Sequence, residues 1–282
     1  MNTLLAEHAG FCFGVNRAVD GVYDLIEKEE NIYTYGPVIH NEKVIEDLKS
    51  KGVEILNGIE DLKNIKNATV AIRAHGVPKS VYDYLENAKI RYVDFTCPFV
   101  KRIHNTVKEM SQKGYQIVII GSSGHPEVLG IKGWADETAV VIDNKQDALN
   151  FETDPEKPVC IVAQTTFNIN KFQDLVEIIR NKGYNVNVVN TICNATKERQ
   201  ESADKIASFA DAMIVIGSRE SSNTQKLFDI CKNRCPDTYY VQDVKDINFD
   251  LPKNASLVGI TAGASTPNKI IEEVQNYVRI NF

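Results

Sequence analysis

The sequence has no hydrophobic run long enough to cross a membrane, and its longest apolar stretches, such as residues 117–120, have the length of a strand. A spanning helix needs about 20 apolar residues. The first residues, Met-Asn-Thr-Leu-Leu-Ala-Glu, also lack the basic and apolar segments of a secretory signal. We therefore expect a cytoplasmic protein with no membrane partner.

Common cofactor motifs are absent as well. The chain has no G-x-x-x-x-G-K-S/T phosphate loop and no G-x-G-x-x-G dinucleotide fingerprint. It has neither the C-x2-C pair of zinc fingers nor the C-x2-C-x2-C run of ferredoxins. A net charge of −6 argues against a general nucleic-acid binder. Six dispersed cysteines without an export signal are expected to be thiols or metal ligands rather than disulfides.

Strand-like and helix-like segments alternate along the 282 residues. Segments such as 212–216 are apolar at nearly every position, which is typical of a sheet covered on both faces. We predict helices at 15–27, 41–50, 78–88, 99–113, 170–182, 195–208, 222–233 and 267–279. We predict strands at 32–35, 69–73, 91–95, 116–120, 158–162, 185–189, 212–216 and 256–260. The alternation predicts α/β units with parallel sheets, and the polar stretch 143–157 is the longest predicted loop.

Three cysteines share one setting. Cys12, Cys97 and Cys193 each follow a short apolar or β-branched run, and each opens a helical pattern. Free backbone N–H groups and the positive end of the helix dipole favour a thiolate there, and thiolate is the form that binds metal. Their separations are each about one small α/β unit. The three thiols therefore suggest one soft metal centre with three protein ligands.

Polar side chains follow the predicted strands, where ligands bind in open parallel sheets. These side chains are His40, His75, His125, Glu127, Thr165, Ser221, Ser222, Asn223 and Ser265. Hydroxyls, an amide and imidazoles beside helix N-termini suit a compact anion such as a phosphate.

Each of these residues also has a plain structural interpretation. A single Ser or Thr before a helix is usually an N-cap, and a single His after a strand is usually structural. Glu127 could be an acidic residue favoured by the dipole in the first turn of a helix. We interpret His104 as structural, Cys160 as a core residue, and Cys231 and Cys235 as thiols that do not bind metal.

Taken in order, the junction segments resemble the IspH (LytB) family of 4-hydroxy-3-methylbut-2-enyl diphosphate reductases. The matching segments are Gly10-Phe11-Cys12-Phe13-Gly14-Val15, Gly36-Pro37-Val38-Ile39-His40-Asn41, Arg73-Ala74-His75-Gly76, Thr96-Cys97-Pro98, Gly124-His125-Pro126-Glu127, Gln164-Thr165-Thr166, Ile192-Cys193-Asn194-Ala195-Thr196, Ser221-Ser222-Asn223 and Gly263-Ala264-Ser265. The chain departs at Phe13, where the family often has Ala, and at residues 7–9, where it often has Asn-Pro-Arg.

The resemblance implies three α/β domains with mainly parallel sheets, related by a pseudo-threefold axis around a central iron–sulfur cluster. The implied domains are residues 14–97, residues 98–193, and residues 194–282 together with 1–13. Cys12, Cys97 and Cys193 would each bind one iron of a 4Fe–4S cluster. The fourth iron would have no protein ligand and would be open to substrate.

The resemblance also implies the reaction, a reductive dehydroxylation that yields isopentenyl and dimethylallyl diphosphate in the last step of the non-mevalonate pathway. Glu127 matches the proton donor. An external one-electron donor such as ferredoxin or flavodoxin is implied, and no nucleic acid. The residues that match substrate contacts are His40, His75, His125, Thr165, Ser221, Ser222, Asn223 and Ser265.

Three other interpretations are open at this point. A zinc protein with three Cys and one His would be colourless and redox-silent. An iron–sulfur sensor would bind a phosphorylated metabolite without turnover. A hydro-lyase could also use a three-cysteine cluster with an open iron, although a tricarboxylate substrate would favour several Arg contacts.

Overall fold

The computed structural model describes residues 1–136 and 138–282, which form twelve β-strands, eleven α-helices and a 3-10 helix at Val244–Asp246. The strands are β1 (Asn2–Leu5), β2 (Ile32–Tyr35), β3 (Glu54–Leu56), β4 (Thr69–Ile72), β5 (Arg91–Asp94), β6 (Gln116–Ile120), β7 (Val140–Ile142), β8 (Val159–Ala163), β9 (Val186–Val188), β10 (Ala212–Ile216), β11 (Thr238–Val241) and β12 (Leu257–Ala262).

The helices are α1 (Phe13–Ile26), α2 (Glu42–Ser50), α3 (Ile59–Leu62), α4 (Lys79–Asn87), α5 (Pro98–Gln112), α6 (Pro126–Lys132), α7 (Lys145–Asn150), α8 (Ile169–Arg180), α9 (Asn194–Ala207), α10 (Ser222–Arg234) and α11 (Asn268–Asn281). None of these helices combines the length and the apolar character needed to cross a bilayer.

The strands form three four-stranded sheets, and every pair within them is parallel. The orders are β3-β2-β4-β5, β7-β6-β8-β9 and β11-β10-β12-β1. In the first two of these sheets, the first of the four strands in chain order lies between the second and the third. The fourth strand lies beside the third, at the edge of the sheet. In the last sheet the N-terminal strand β1 takes that fourth place. The predicted α/β class with parallel sheets is confirmed.

The central strands are buried because helices cover both faces of each sheet. Every residue of β4, β8 and β10 is buried, whereas the edge strand β1 is mostly exposed. In β6 the side chains alternate between two cores, with Val118 and Ile120 on one face and Ile117 and Ile119 on the other. Full burial of such a side chain contributes roughly 1.5–3 kcal/mol.

The sequence pattern located the long elements and missed several short ones. All sixteen predicted helices and strands are present, and the strands at 116–120 and 212–216 have the predicted bounds. The predicted loop 143–157 is wrong in part, because α7 lies within it. Asn144 Oδ1 accepts from the N–H groups of Gln146 and Asp147, and the Asp147 side chain accepts from the N–H of Asn144. This capping box was the available signal, since six residues are too few to show a helical period.

The chain divides into two compact units. One contains Met1–Asn16, His40–Lys43 and Cys193–Phe282, and the other contains Arg17–Ile39 and Val44–Ile192. The first unit holds the sheet that includes β1, and the second holds the other two sheets. The predicted domain boundaries after Cys97 and Cys193 stay a prediction.

Candidate functional site

Cys12, Cys97 and Cys193 occupy equivalent positions in the three sheets. Each follows the fourth strand of its sheet, which is β1, β5 or β9, and each immediately precedes a helix. The cysteine carbonyl accepts from the backbone N–H four residues later, at 2.9 Å for Cys12, 2.9 Å for Cys97 and 3.1 Å for Cys193. The three thiols therefore stand where the first N–H groups of a helix have no partner within the helix.

The other three cysteines have a different environment. Cys160, Cys231 and Cys235 are buried, whereas the three helix-opening cysteines are half-buried. Burial raises the pKa of Cys160 to about 11 and that of Cys231 to about 12, and it also raises the pKa of Cys235. These thiols stay protonated at neutral pH. The helix-opening set is the one whose chemistry fits a soft metal centre, because such a centre needs accessible thiolates.

In the first unit, a buried amide lies in the first turn of α10. Ser221 is the N-cap, and its Oγ accepts from the backbone N–H of Thr224 at 3.3 Å. Asn223 is only 4% exposed, and its Oδ1 and Nδ2 have no hydrogen-bond partner among the described residues. An unpaired buried polar group costs about 1–3 kcal/mol. Asn223 is therefore suited to a polar ligand that supplies both partners.

His40 belongs to a short segment that is held within the same unit. The Ser265 hydroxyl donates to the His40 carbonyl at 3.0 Å. Ser218 Oγ donates to a carboxyl oxygen of Glu42 at 2.8 Å, and Lys43 pairs with Asp243 at 2.6 Å. These contacts tie His40 and the start of α2 to the loops after β10, β11 and β12. The predicted anion contacts His40 and Ser265 are thus brought together.

In the second unit, two predicted anion contacts are neighbours. The rings of His75 and His125 lie 5.3 Å apart, edge to face. His125 is the N-cap of α6, and its Nδ1 accepts from the backbone N–H of Glu127 at 3.1 Å. The Nδ1 atom of His125 therefore serves as the cap of α6. In the neutral ring this hydrogen bond places the proton on Nε2, which makes that nitrogen a donor.

Glu127 and Thr165 form a buried pair in the second unit. Oε1 of Glu127 accepts from the Thr165 backbone N–H at 2.6 Å, and Oε2 accepts from Thr165 Oγ1 at 2.7 Å. The two residues are 2% and 7% exposed. A carboxyl group and a hydroxyl in direct contact can exchange a proton, and their burial keeps bulk water from competing.

A pair of stacked rings, buried His104 and half-buried Trp134, supports the loop that carries His75. His104 stacks on Trp134, with centroids 5.0 Å apart, and Trp134 Nε1 donates to the Val77 carbonyl at 3.0 Å. Gly76 has φ +71°, and a Cβ there would lie 2.6 Å from His104 Cε1. Burial lowers the pKa of His104 to about 4. His104 is therefore a neutral packing residue, as its place inside a helix had indicated.

Sequence reasoning missed two residues near these groups, Trp134 and Arg199. Trp134 is the only tryptophan of the chain, which was an available signal. Arg199 is 3% exposed and lies in α9. Only the fold shows that it is buried.

These sheets and side chains define an α/β enzyme that has accessible thiols, a buried acid and a set of polar side chains at the ends of its strands. The chain belongs to the LytB protein family, whose model matches residues 3–279. The family depends on an iron–sulfur cofactor. The family resemblance seen in the sequence is confirmed.

The similarity to known proteins extends over nearly the whole chain. It is 43% identical over 97% of its length to a protein of Caldanaerobacter subterraneus subsp. tengcongensis, with 95% of that protein covered. It is 46% identical over 97% of its length to a protein of Alkaliphilus oremlandii, with 98% of that protein covered. Both relatives are named 4-hydroxy-3-methylbut-2-enyl diphosphate reductase.

Two solved structures are similar in fold. The E-1-hydroxy-2-methyl-but-2-enyl-4-diphosphate reductase of Plasmodium falciparum has a TM-score of 0.92 at 28% identity, covering 99% of this chain and 87% of that one. A second structure has a TM-score of 0.69 at 38% identity and covers 99% of both chains. It is described as (E)-4-hydroxy-3-methyl-but-2-enyl diphosphate reductase, the terminal enzyme of the non-mevalonate pathway.

Proposed function

We propose that this chain catalyses the reductive dehydroxylation of 4-hydroxy-3-methylbut-2-enyl diphosphate to isopentenyl and dimethylallyl diphosphate, the last step of the non-mevalonate pathway. The observation that carries the proposal is 43% identity to a reductase of that name over 97% of the chain. The site supports it, because thiols, a buried acid and anion-binding groups are the parts that this reaction needs.

The proposed cofactor is a 4Fe–4S cluster with Cys12, Cys97 and Cys193 as ligands and one iron open to substrate. The half-buried thiols at equivalent helix N-termini support this set, and the raised pKa of Cys160 and Cys231 argues against those two thiols. When bound, the cluster supplies electrons one at a time and a Lewis acid for the departing hydroxyl group.

The diphosphate is bound by neutral donors and helix ends. In this proposal the diphosphate contacts are His40, His75, His125, Ser221, Ser222, Asn223 and Ser265. Backbone N–H groups at the start of α10 add to them, because helix N-termini bind anions. Such a set explains how a chain with net charge −6 can bind a highly charged anion.

Glu127 supplies the proton with which the hydroxyl group leaves as water. The overall change consumes two electrons and two protons, breaks one C–O bond and forms one C–H bond and one water. Thr165 Oγ1 contacts the Glu127 carboxyl at 2.7 Å, so it can donate its own proton forward and take another from the acid. Asn223, whose amide is buried, orients the hydroxymethyl end.

The electron donor is a small one-electron carrier such as ferredoxin or flavodoxin, and the protein is cytoplasmic. The test of the function is anaerobic reconstitution with iron and sulfide, followed by turnover with a chemical reductant and analysis of both products. A redox-silent zinc protein would contradict the cofactor. Tight binding of the substrate to a reconstituted protein without turnover would contradict the reaction and favour a sensor.

A further inference from the structure

Arg199 joins the two helix-opening cysteines of the first unit through the backbone. Its Nη2 donates to the Gly10 carbonyl at 2.7 Å, and its Nη1 donates to the Ala195 carbonyl at 3.2 Å. Gly10 lies two residues before Cys12, and Ala195 lies two residues after Cys193. One guanidinium therefore holds the segment that precedes Cys12 against the first turn of α9.

This cation is buried without a close carboxylate. Arg199 is 3% exposed, and no carboxylate lies within ion-pair distance of it among the residues that the structure describes. Burial lowers the pKa of Arg199, and Coulombic attraction to Cys12, then Cys193 and Glu198, opposes the shift. A guanidinium stays protonated at neutral pH. The groups that oppose the lowered pKa of Arg199 are therefore the two cysteines first and the Glu198 carboxylate after them.

One N–H group of the guanidinium makes no hydrogen bond to the described residues. Arg199 Nε is buried and has no hydrogen-bond partner among the described residues. A buried charged group with an unpaired N–H is costly unless a ligand completes it. Thiolates and inorganic sulfides are negatively charged acceptors that can do so.

We propose that Arg199 is a positioning residue for the iron–sulfur cofactor, which fixes the Cys12 and Cys193 segments and makes the cluster easier to reduce. The inference rests on the proposed ligation by Cys12, Cys97 and Cys193. A reduced cluster carries one more negative charge than an oxidised one. A buried cation beside it stabilises the reduced form, since charge and hydrogen bonds to sulfur set cluster potentials.

The chain offers a matched control on the same helix. Lys197 lies two residues before Arg199, but its side chain is 57% exposed and is paired with Glu201 at 3.8 Å. Solvent and salt screen such a charge. Removing the charge of Lys197 should therefore leave the cluster potential unchanged, whereas removing that of Arg199 should lower it.

The experiment compares R199Q, R199K and K197Q with the wild type after anaerobic reconstitution. Iron and sulfide content is measured first. The midpoint potential is then measured by redox titration monitored by electron paramagnetic resonance. We expect R199Q to disfavour reduction at least tenfold, a shift of about 59 mV to lower potential for one electron. The midpoint potential of R199K, which keeps the charge, should shift less than half as much. The midpoint potential of K197Q should match that of the wild type.

The results that would contradict this inference can be distinguished from those that would contradict the proposed cofactor. A wild-type potential in R199Q, or equal shifts in R199Q and R199K, would overturn the proposed charge effect. If circular dichroism shows both Arg199 variants unfolded before reconstitution, Arg199 is a residue of the fold and the inference is wrong. A wild-type chain that takes up no cluster would overturn the proposed cofactor as well, whereas a loaded wild type with an unshifted R199Q overturns the inference alone.

Discussion

Thr165 engages both carboxyl oxygens of Glu127, with its backbone N–H 2.6 Å from Oε1 and its hydroxyl 2.7 Å from Oε2. This pairing orients the acid and connects it to a group that can pass a proton on. The Glu127→Gln variant keeps the shape and can still accept from the Thr165 N–H, but it has no acidic proton. We expect it to retain the cluster and bind substrate while turnover falls by roughly 10²-fold or more. Steady-state turnover with a chemical reductant measures this.

Variants of Thr165 separate proton transfer from packing. Thr165→Val removes the hydroxyl at nearly constant shape, and Thr165→Ser keeps it. If the hydroxyl relays the proton, the Ser variant should turn over near the wild-type rate and the Val variant should fall toward the rate of Glu127→Gln. Near-normal turnover in Glu127→Gln would remove the acid from the mechanism. A loss of turnover in Thr165→Ser, with a near-normal rate in Thr165→Val, would make the methyl group, and not the hydroxyl, the important part.

The proposed anion contacts of the first unit, His40 and Ser265, should recognise the diphosphate and not the alcohol. Ser265→Ala and His40→Ala each remove one hydrogen-bonding group toward a charged ligand, which is worth on the order of 1.5–3 kcal/mol. Calorimetry with the substrate and with the corresponding diol should show the loss for the diphosphate alone. Ser208→Ala, at an exposed serine, is the control. Equal losses for both ligands would mean that these side chains do not touch the diphosphate.

Asn223 should contribute to binding at the expense of stability. Its amide is buried without partners among the described residues, so Asn223→Leu removes an unsatisfied group from the protein. We expect an unchanged or higher melting temperature together with substrate binding weaker by about 1–3 kcal/mol. Asn187→Leu, on an exposed strand position, should alter neither quantity. A marked loss of stability with normal binding would contradict the role given to Asn223.

His104 should make folding sensitive to acid. Burial lowers its pKa to about 4, below the ordinary value of 6.5, so the unfolded chain binds a proton that the folded chain does not. This penalty is absent above pH 6.5, grows as the pH falls and is complete below pH 4, where it reaches about 3 kcal/mol. Urea unfolding from pH 7 to 5 should show a shallower loss for His104→Phe than for the wild type. Identical slopes for His104→Phe and the wild type would contradict the burial effect.

Much of the fold and of the candidate site could be predicted from the sequence, because local signals carried it. Apolar runs marked β6 and β10, and each of the cysteines Cys12, Cys97 and Cys193 opens a helix as its pattern indicated. The contacts that connect distant segments could not be predicted this way. Thr165 lies 38 residues from Glu127, and Arg199 lies 189 residues from Gly10, so only the packed sheets bring each pair together.

The cluster ligands are the central claim, and the iron and sulfide content of six Cys→Ser variants tests it most directly. After anaerobic reconstitution, the variants at Cys12, Cys97 and Cys193 should lose the cluster. Those at Cys160, Cys231 and Cys235 should keep it, because these thiols are buried and stay protonated. Full cluster content in any of the first three variants, with normal folding by circular dichroism, would contradict the assignment.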